Sequence, residues 1–200
     1  MPIAINGSGT VTGVSVGGLP DGIVDADTLA NSAAAPLKRG SGSTLQTVIT
    51  ENTVGSIAAT GDTIHAVTSL ETSITPLKAN SKFLLTLSGV NGHCNMIGST
   101  GNHGARYFFY VSVAGGSYAN AATHSNAICA THIQGDLGNW LDFPVHYSYL
   151  SSPSYSLGQA LTFQPAFTKD ASMGNSFTYY FHHNTQGSKA IMMVSEVAQS

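Results

Sequence analysis

Asp136 and Asp142 flank Trp140 and form the one close carboxylate pair beyond residue 43. Two carboxylates facing each other across a sugar ring are what glycoside cleavage requires. Lying in a stretch that reads as a loop, this pair suits turn and cap chemistry instead. A second pattern, Gly13-Val14-Ser15-Val16-Gly17, matches the G-x-S-x-G nucleophile elbow. That elbow needs a strand, a sharp turn and a helix that presents the serine, and here Gly18-Leu19-Pro20 follows. The segment therefore reads as plain extended chain. His93, Cys94, His103, His124, Cys129, His132, His182 and His183 are metal-ligand types. Neighbours on a strand point to opposite faces, so His93-Cys94 and His182-His183 do not chelate as pairs without a bend. No C-x-x-C, H-E-x-x-H or His-x-His spacing occurs, and neither a metal site, a cofactor nor an enzymatic activity is expected.

Trp140, Asp142, Tyr147, Tyr149 and Tyr155, with Phe143 among them, lie close together beside Asn and Ser residues. Aromatic rings stack on the apolar faces of sugars while carboxylates and amides bind the hydroxyls, so these residues are the candidate glycan or receptor surface. The same aromatic types fill cores as readily as they line binding faces. The glycine-rich segments at residues 40–44 and 98–104 lack the lysine that a phosphate loop places after its glycine.

The elements that must carry these residues are strands. Only 8% of the chain is charged while 42% is hydrophobic, and Thr, Val, Ile and aromatics are plentiful. Such a chain folds rather than remaining disordered, and folds as β. Candidate strands run over residues 45–50, 63–75, 82–90, 106–113, 127–133, 143–150, 160–168, 176–182 and 189–197. Alternation is clearest in Phe83-Leu-Leu-Thr-Leu-Ser-Gly-Val90 and Leu161-Thr-Phe-Gln-Pro-Ala-Phe167. Short strands parted by Gly, Ser, Asn and Pro clusters, without a repeating rung, predict an all-β sandwich or jelly roll over residues 43–200. Residues 92–104 and 115–126 read as long polar loops.

Residues 1–42 read differently. Gly7 to Leu19 alternates small and β-branched residues with too little apolar volume for a core, so Val11, Val14, Val16 and Leu19 form an arm that pairs with another chain. Pro20-Asp21-Gly22 is a turn. Ile23, Ala26, Leu29, Ala30 and Ala33 then recur at helical spacing, with Asp25 or Asp27 as N-cap and Pro36 closing a short helical neck. Lys38 to Ser43 is a flexible polar joint.

So little surface charge implies that copies or neighbours cover much of the surface. The net charge of -3 with seven scattered basic residues gives no stripe for nucleic acid. Neither a secretory leader nor a run of ~20 apolar residues is evident, which places synthesis in a cytoplasm without membrane insertion. Cys94 and Cys129 are expected to be free thiols.

Two parts of the text carry a resemblance. Gly7 to Gly22 followed by Val24-Asp-Ala-Asp-Thr-Leu-Ala30 resembles the start of tail-fibre proteins of cyanophages and related marine tailed bacteriophages. Ser73-Ile-Thr-Pro76, Ser81-Lys-Phe-Leu-Leu85, Phe143-Pro144 and Met193-Val-Ser-Glu-Val197 are similar to segments of their terminal β domains, in the same order. The resemblance implies a homotrimer in the virion, on the tail or the capsid surface. Its N-terminal arm would engage other virion proteins and its distal domain a host receptor, with host-surface glycan as a further partner. The chain departs from long fibres in lacking a repetitive shaft. That departure opens a second reading, a capsid decoration or head-fibre protein that stabilises the particle.

Overall fold

A computed structural model of the chain describes residues 4–5, 11–12, 40–53, 55–61, 63–95, 102–122, 127–134, 140–170, 177–182 and 189–199. The expected helix, arm residues Val14, Val16, Leu19, Ile23 and Leu29, and Asp136, His124 and His183 lie outside the described residues. The chain divides into two compact units, Met1–Lys38 and Arg39–Ser200. In the first, β1 (Ala4–Ile5) pairs antiparallel with β2 (Val11–Thr12), so Val11 of the expected arm faces Ile5 of its own chain.

The second unit is all-β, built of curled antiparallel sheets, and its described residues contain no α-helix. The first sheet contains β3 (Thr44–Asn52), β4 (Ile57–Ala59), β7 (Lys82–Asn95), β11 (Trp140–Ser151), β13 (Thr178–Phe181) and β14 (Ala190–Val197). The second contains β5 (His65–Ala66), β6 (Thr72–Ile74), β8 (Asn102–Val113), β9 (Ala119–Asn120), β10 (Cys129–Gln134) and β12 (Leu161–Lys169).

The long strand β7 organises the first sheet. Its period-two pattern buries Phe83, Leu85 and Leu87 completely and turns Leu84, Thr86 and Ser88 outward. One edge pairs with β11 along nearly the whole strand; the other pairs first with β14, over residues 82–88, and then with β13, over residues 92–95. The change of partner falls on Gly89. Val145 pairs with Val90 and Tyr147 with Leu87, so Ser88 and Gly89 together face His146, an extra residue that bends the strand. Gly89 has φ +70°, and a Cβ there would collide with the Lys189 carbonyl oxygen. Glycine meets both demands. Three residues on, a Cβ at Gly92 would meet the Phe143 ring at 2.6 Å and the Tyr179 hydroxyl at 2.8 Å.

In the second sheet β8 and β12 are central. Beyond β8 lie β10 and β9, and beyond β12 lie β5 and β6. Residues 63–75 are not the single strand the sequence predicts: β5 and β6 are parted by a 3-10 turn, Thr68–Leu70. The cause lies opposite, at Pro165. Its carbonyl accepts from Val67 N–H at 2.9 Å. An antiparallel residue presents N–H and C=O to the same neighbour, and proline has no N–H to give, so the ladder stops there. The freed chain turns and drives Leu70 fully into the core.

Rings from both sheets meet in that core. Phe83 packs on Phe163 at 5.4 Å, Phe109 on Tyr147 at 4.7 Å, and Phe167 on Phe181 at 4.8 Å between ring centroids. Each fully buried large side chain contributes about 2–3 kcal/mol. The expected loop at residues 92–104 is strand at both ends, because Gly92 and Gly104 let neighbouring chain approach closely. The expected flexible joint is likewise tied at its end, where Gly42 N–H donates to Ala198 C=O and Ala198 N–H donates to Ser43 C=O.

Glu196 closes the unit from inside. Its carboxylate is fully buried and accepts from Gln46 Nε2 at 2.7 Å, Ser81 Oγ at 2.7 Å, Leu77 N–H at 3.0 Å and Lys78 N–H at 3.1 Å. Removing it strands those donors, each costing about 1–3 kcal/mol if left unsatisfied. Glu196→Ala is expected to lower the urea midpoint by an amount equivalent to about 3 kcal/mol or more with an unchanged slope, whereas Glu51→Ala on the exposed part of β3 leaves it nearly unmoved. Equal, small shifts in the two variants would contradict this role.

Candidate functional site

Strand periodicity scatters the aromatic residues that the sequence groups together. Asp142 points outward from β11 and is exposed, its Oδ1 2.7 Å from Nδ1 of the buried His93 on β7. It sits in a strand, not the expected loop, because its register partner is His93 itself. Tyr147 points the other way and is 5% exposed. Its hydroxyl donates to the Phe108 carbonyl at 3.1 Å, so it belongs to the core and not to a receptor surface. Tyr149 is half-buried against the same core. Trp140 opens β11, which runs for 12 residues, and at ~3.3 Å per residue its two ends lie on the order of 35 Å apart. Tyr155 lies past the far end, its ring edge-on to Phe83. Its hydroxyl accepts from Ser81 N–H at 2.8 Å and donates to Lys78 C=O at 2.7 Å. The five residues therefore form no single surface.

Two of the histidines, His93 and His132, lie against carboxylates. Asp170, 2% exposed, takes Arg106 Nη2 at 2.7 Å and faces His132 Nε2 at 3.2 Å. Gly104 makes room for this group, since a Cβ there would meet the Thr131 carbonyl at 2.7 Å and the His132 ring at 3.0 Å. A buried carboxylate held between β8 and β10 fastens an edge strand. Among the described residues no three His, Cys, Asp or Glu side chains are grouped to hold a metal ion. Cys94 and Cys129 are free thiols, and burial pushes the Cys94 thiol up to about 12.

Two surface depressions are lined by described residues. One, of about 330 Å³, lies at the Tyr155 end of β11 and is walled by Asn80, Ser81, Lys82 and residues 152–154. The other, also about 330 Å³, lies on the outer face of the second sheet and is lined by Ile64, Ala66, Tyr110, Tyr118, Gln164 and Ala166. Register builds the second. Asn120, Tyr110 and Gln164 are successive cross-strand partners on β9, β8 and β12, and Gln164 Nε2 donates to Glu71 Oε1 at 2.7 Å. One step along, Ala166 pairs with Ala66, and these two short side chains make a floor. Loss of solvent and then the neighbouring Glu71 side chain push Tyr118 up to about 12, so its hydroxyl stays protonated. Sequence reasoning missed this group because its members come from five separate segments; the one local signal is the out-facing period of Gln164 and Ala166 in β12. No helix among the described residues is long and apolar enough to cross a membrane. No protein-family model, no curated protein and no solved structure matches the chain.

Buried hydroxyls give the fold a pH limit. Tyr107 and Tyr179 hydroxyls meet at 2.9 Å inside the core. Burial raises Tyr107 to about 12 and lifts Tyr147 and Tyr179 well above their ordinary value. The folded state thus holds these protons more tightly than the unfolded chain. The stability they confer is complete below the unfolded value of ~10 and falls as pH rises from there, Cys94 adding to the loss from about pH 9. Absorbance titration is expected to show Tyr107, Tyr147 and Tyr179 ionising only together with the loss of β circular dichroism. Ionisation of all eight tyrosines in one smooth step with the fold intact would contradict this.

Proposed function

We propose that the chain is a structural subunit of a tailed-bacteriophage virion, a fibre-type host-attachment protein. Its second unit acts as a two-layered β-sandwich head and its first as the attachment arm of a homotrimer. The observation that carries the reading is the outer face of β11-β7-β14-β3. Cross-strand rows there run Leu150-Leu84-Ser195-Thr47 and Ser148-Thr86-Met193-Ile49. Leu84, Leu150 and Ile49 are exposed, Ile49 by 59%. The hydroxyls between them bond to each other, Thr86 to Ser148 at 3.1 Å and Thr47 to Ser195 at 2.9 Å, and so make few demands on solvent. Both rows are uncharged. A face that is aliphatic and self-satisfied in its hydrogen bonds is suited to burial against copies of itself. The resemblance of Gly7 to Gly22, of Val24 to Ala30 and of the Ser73–Pro76 and Met193–Val197 segments to fibre proteins supplies the setting.

Sedimentation equilibrium of the full chain is expected to give three times the 20.7 kDa chain mass. Leu84→Lys with Ile49→Lys is expected to give a folded monomer, because each lysine places an unpaired charge in the interface. A wild-type chain that stays monomeric at micromolar concentration overturns the reading. Immunogold label on virion tails fits attachment, label over the capsid shell transfers the chain to particle stabilisation, and particles without label exclude both.

A further inference from the structure

We infer that the depression between Tyr110, Tyr118 and the Ala66–Ala166 floor is a saccharide-binding site for neutral or N-acetylated sugars. The argument begins with shape. Its volume of about 330 Å³ lies at the low end of the ~300–1,000 Å³ range of small-molecule sites. That size suits one or two sugar rings. The depression exists because two cross-strand partners are both alanine: Ala166 is fully buried beneath it, while Ala66 lies at its open side.

The lining matches the two faces of a pyranose. The Tyr110 and Tyr118 rings and the Ile64 side chain offer apolar surface to the C–H groups, and Tyr118 and Ile64 are exposed enough to be covered, at 39% and 44%. The polar side is oriented in advance. Gln164 is 4% exposed and spends its amide N–H on Glu71, which fixes its carbonyl oxygen as an acceptor. Glu71 uses one acceptor site on Gln164 and keeps others for sugar O–H donors, since a carboxylate has about four. Aromatic stacking and charge-assisted hydrogen bonds are thus presented together.

Charge selects the ligand further. Glu71 is the ionisable acid at the rim and the lining has no cation. Sulfated sugars and uronic acids are repelled, and neutral hexoses or N-acetylhexosamines, whose methyl group fits an alanine floor, are preferred. One shallow site binds weakly; three on a trimer bind a glycan-coated surface by effective concentration. The biological role rests on the attachment reading above, whereas the binding itself does not.

The test is ligand-observed and isothermal titration of the full chain with methyl hexosides, N-acetylglucosamine and N-acetylgalactosamine, and a sulfated oligosaccharide as control. At least one neutral or N-acetylated sugar is expected to bind with millimolar affinity and the sulfated one not at all. Ala66→Leu, which fills the floor from an exposed position, and Tyr118→Ala are each expected to weaken binding tenfold or more, with Tyr118→Phe losing less. Unchanged circular dichroism would separate loss of binding from loss of fold. Absence of binding by every neutral sugar, or binding unaffected by Ala66→Leu, overturns the site. Trimers without sugar binding would sink this inference and leave the assembly reading standing; sugar binding by a monomer would do the reverse.

Discussion

A carboxylate shut away from water holds the two sheets in relation to each other. Glu196 on β14 takes hydrogen bonds from the chain leading into β7 and, through Gln46, from β3, and the same Gln46 amide reaches the Thr75 carbonyl. An ionised group with no solvent is tolerated only where its lone pairs are occupied. Once they are, the geometry is over-determined. The turn after β6, the entry of β7, the end of β14 and the edge strand β3 have one arrangement that satisfies the charge. The aromatic core supplies most of the burial energy but is far less particular about register.

That network gathers residues that stand apart in the sequence. Ser73–Pro76, Ser81–Leu85 and Met193–Val197 are three separate stretches of text, and Thr75, Ser81 and Glu196 belong to one hydrogen-bonded group. Strand identity was legible because it is local: Phe83, Leu85 and Leu87, or Leu161, Phe163 and Phe167, declare their buried face by alternation alone. Three features were not legible, each because the cause lies on another strand. Residues 63–75 break because of Pro165. Residues 92–95 continue as strand because Gly92 admits Phe143 and Tyr179. Tyr147 turns inward while Asp142 turns outward because β11 keeps its period across the bulge at Gly89. The sugar-sized depression was hidden for the same reason, its members meeting only by register.

The two outer faces divide the surface chemistry. One carries aliphatic and hydroxyl side chains whose polar atoms bond among themselves; the other carries tyrosines, an amide and a carboxylate around a hollow. Scarce charge is therefore not spread evenly. Lys189, just before β14, pairs with Glu51 near the end of the edge strand β3, where charge discourages strand addition. The broad faces are left for contact.

Pro165 has a reach beyond its own strand. Lacking one hydrogen, it forces the neighbouring chain to leave the sheet after Ala66 and rejoin it at Thr72. The detour leaves Ala66 opposite Ala166 and brings Glu71 to the Gln164 amide, on the face where Tyr110 stands. A hollow on one surface is thus written by an imino acid in the strand beneath it. Restoring an ordinary residue at that position would tempt the ladder to close and the recess to vanish, without any change to the side chains that line it.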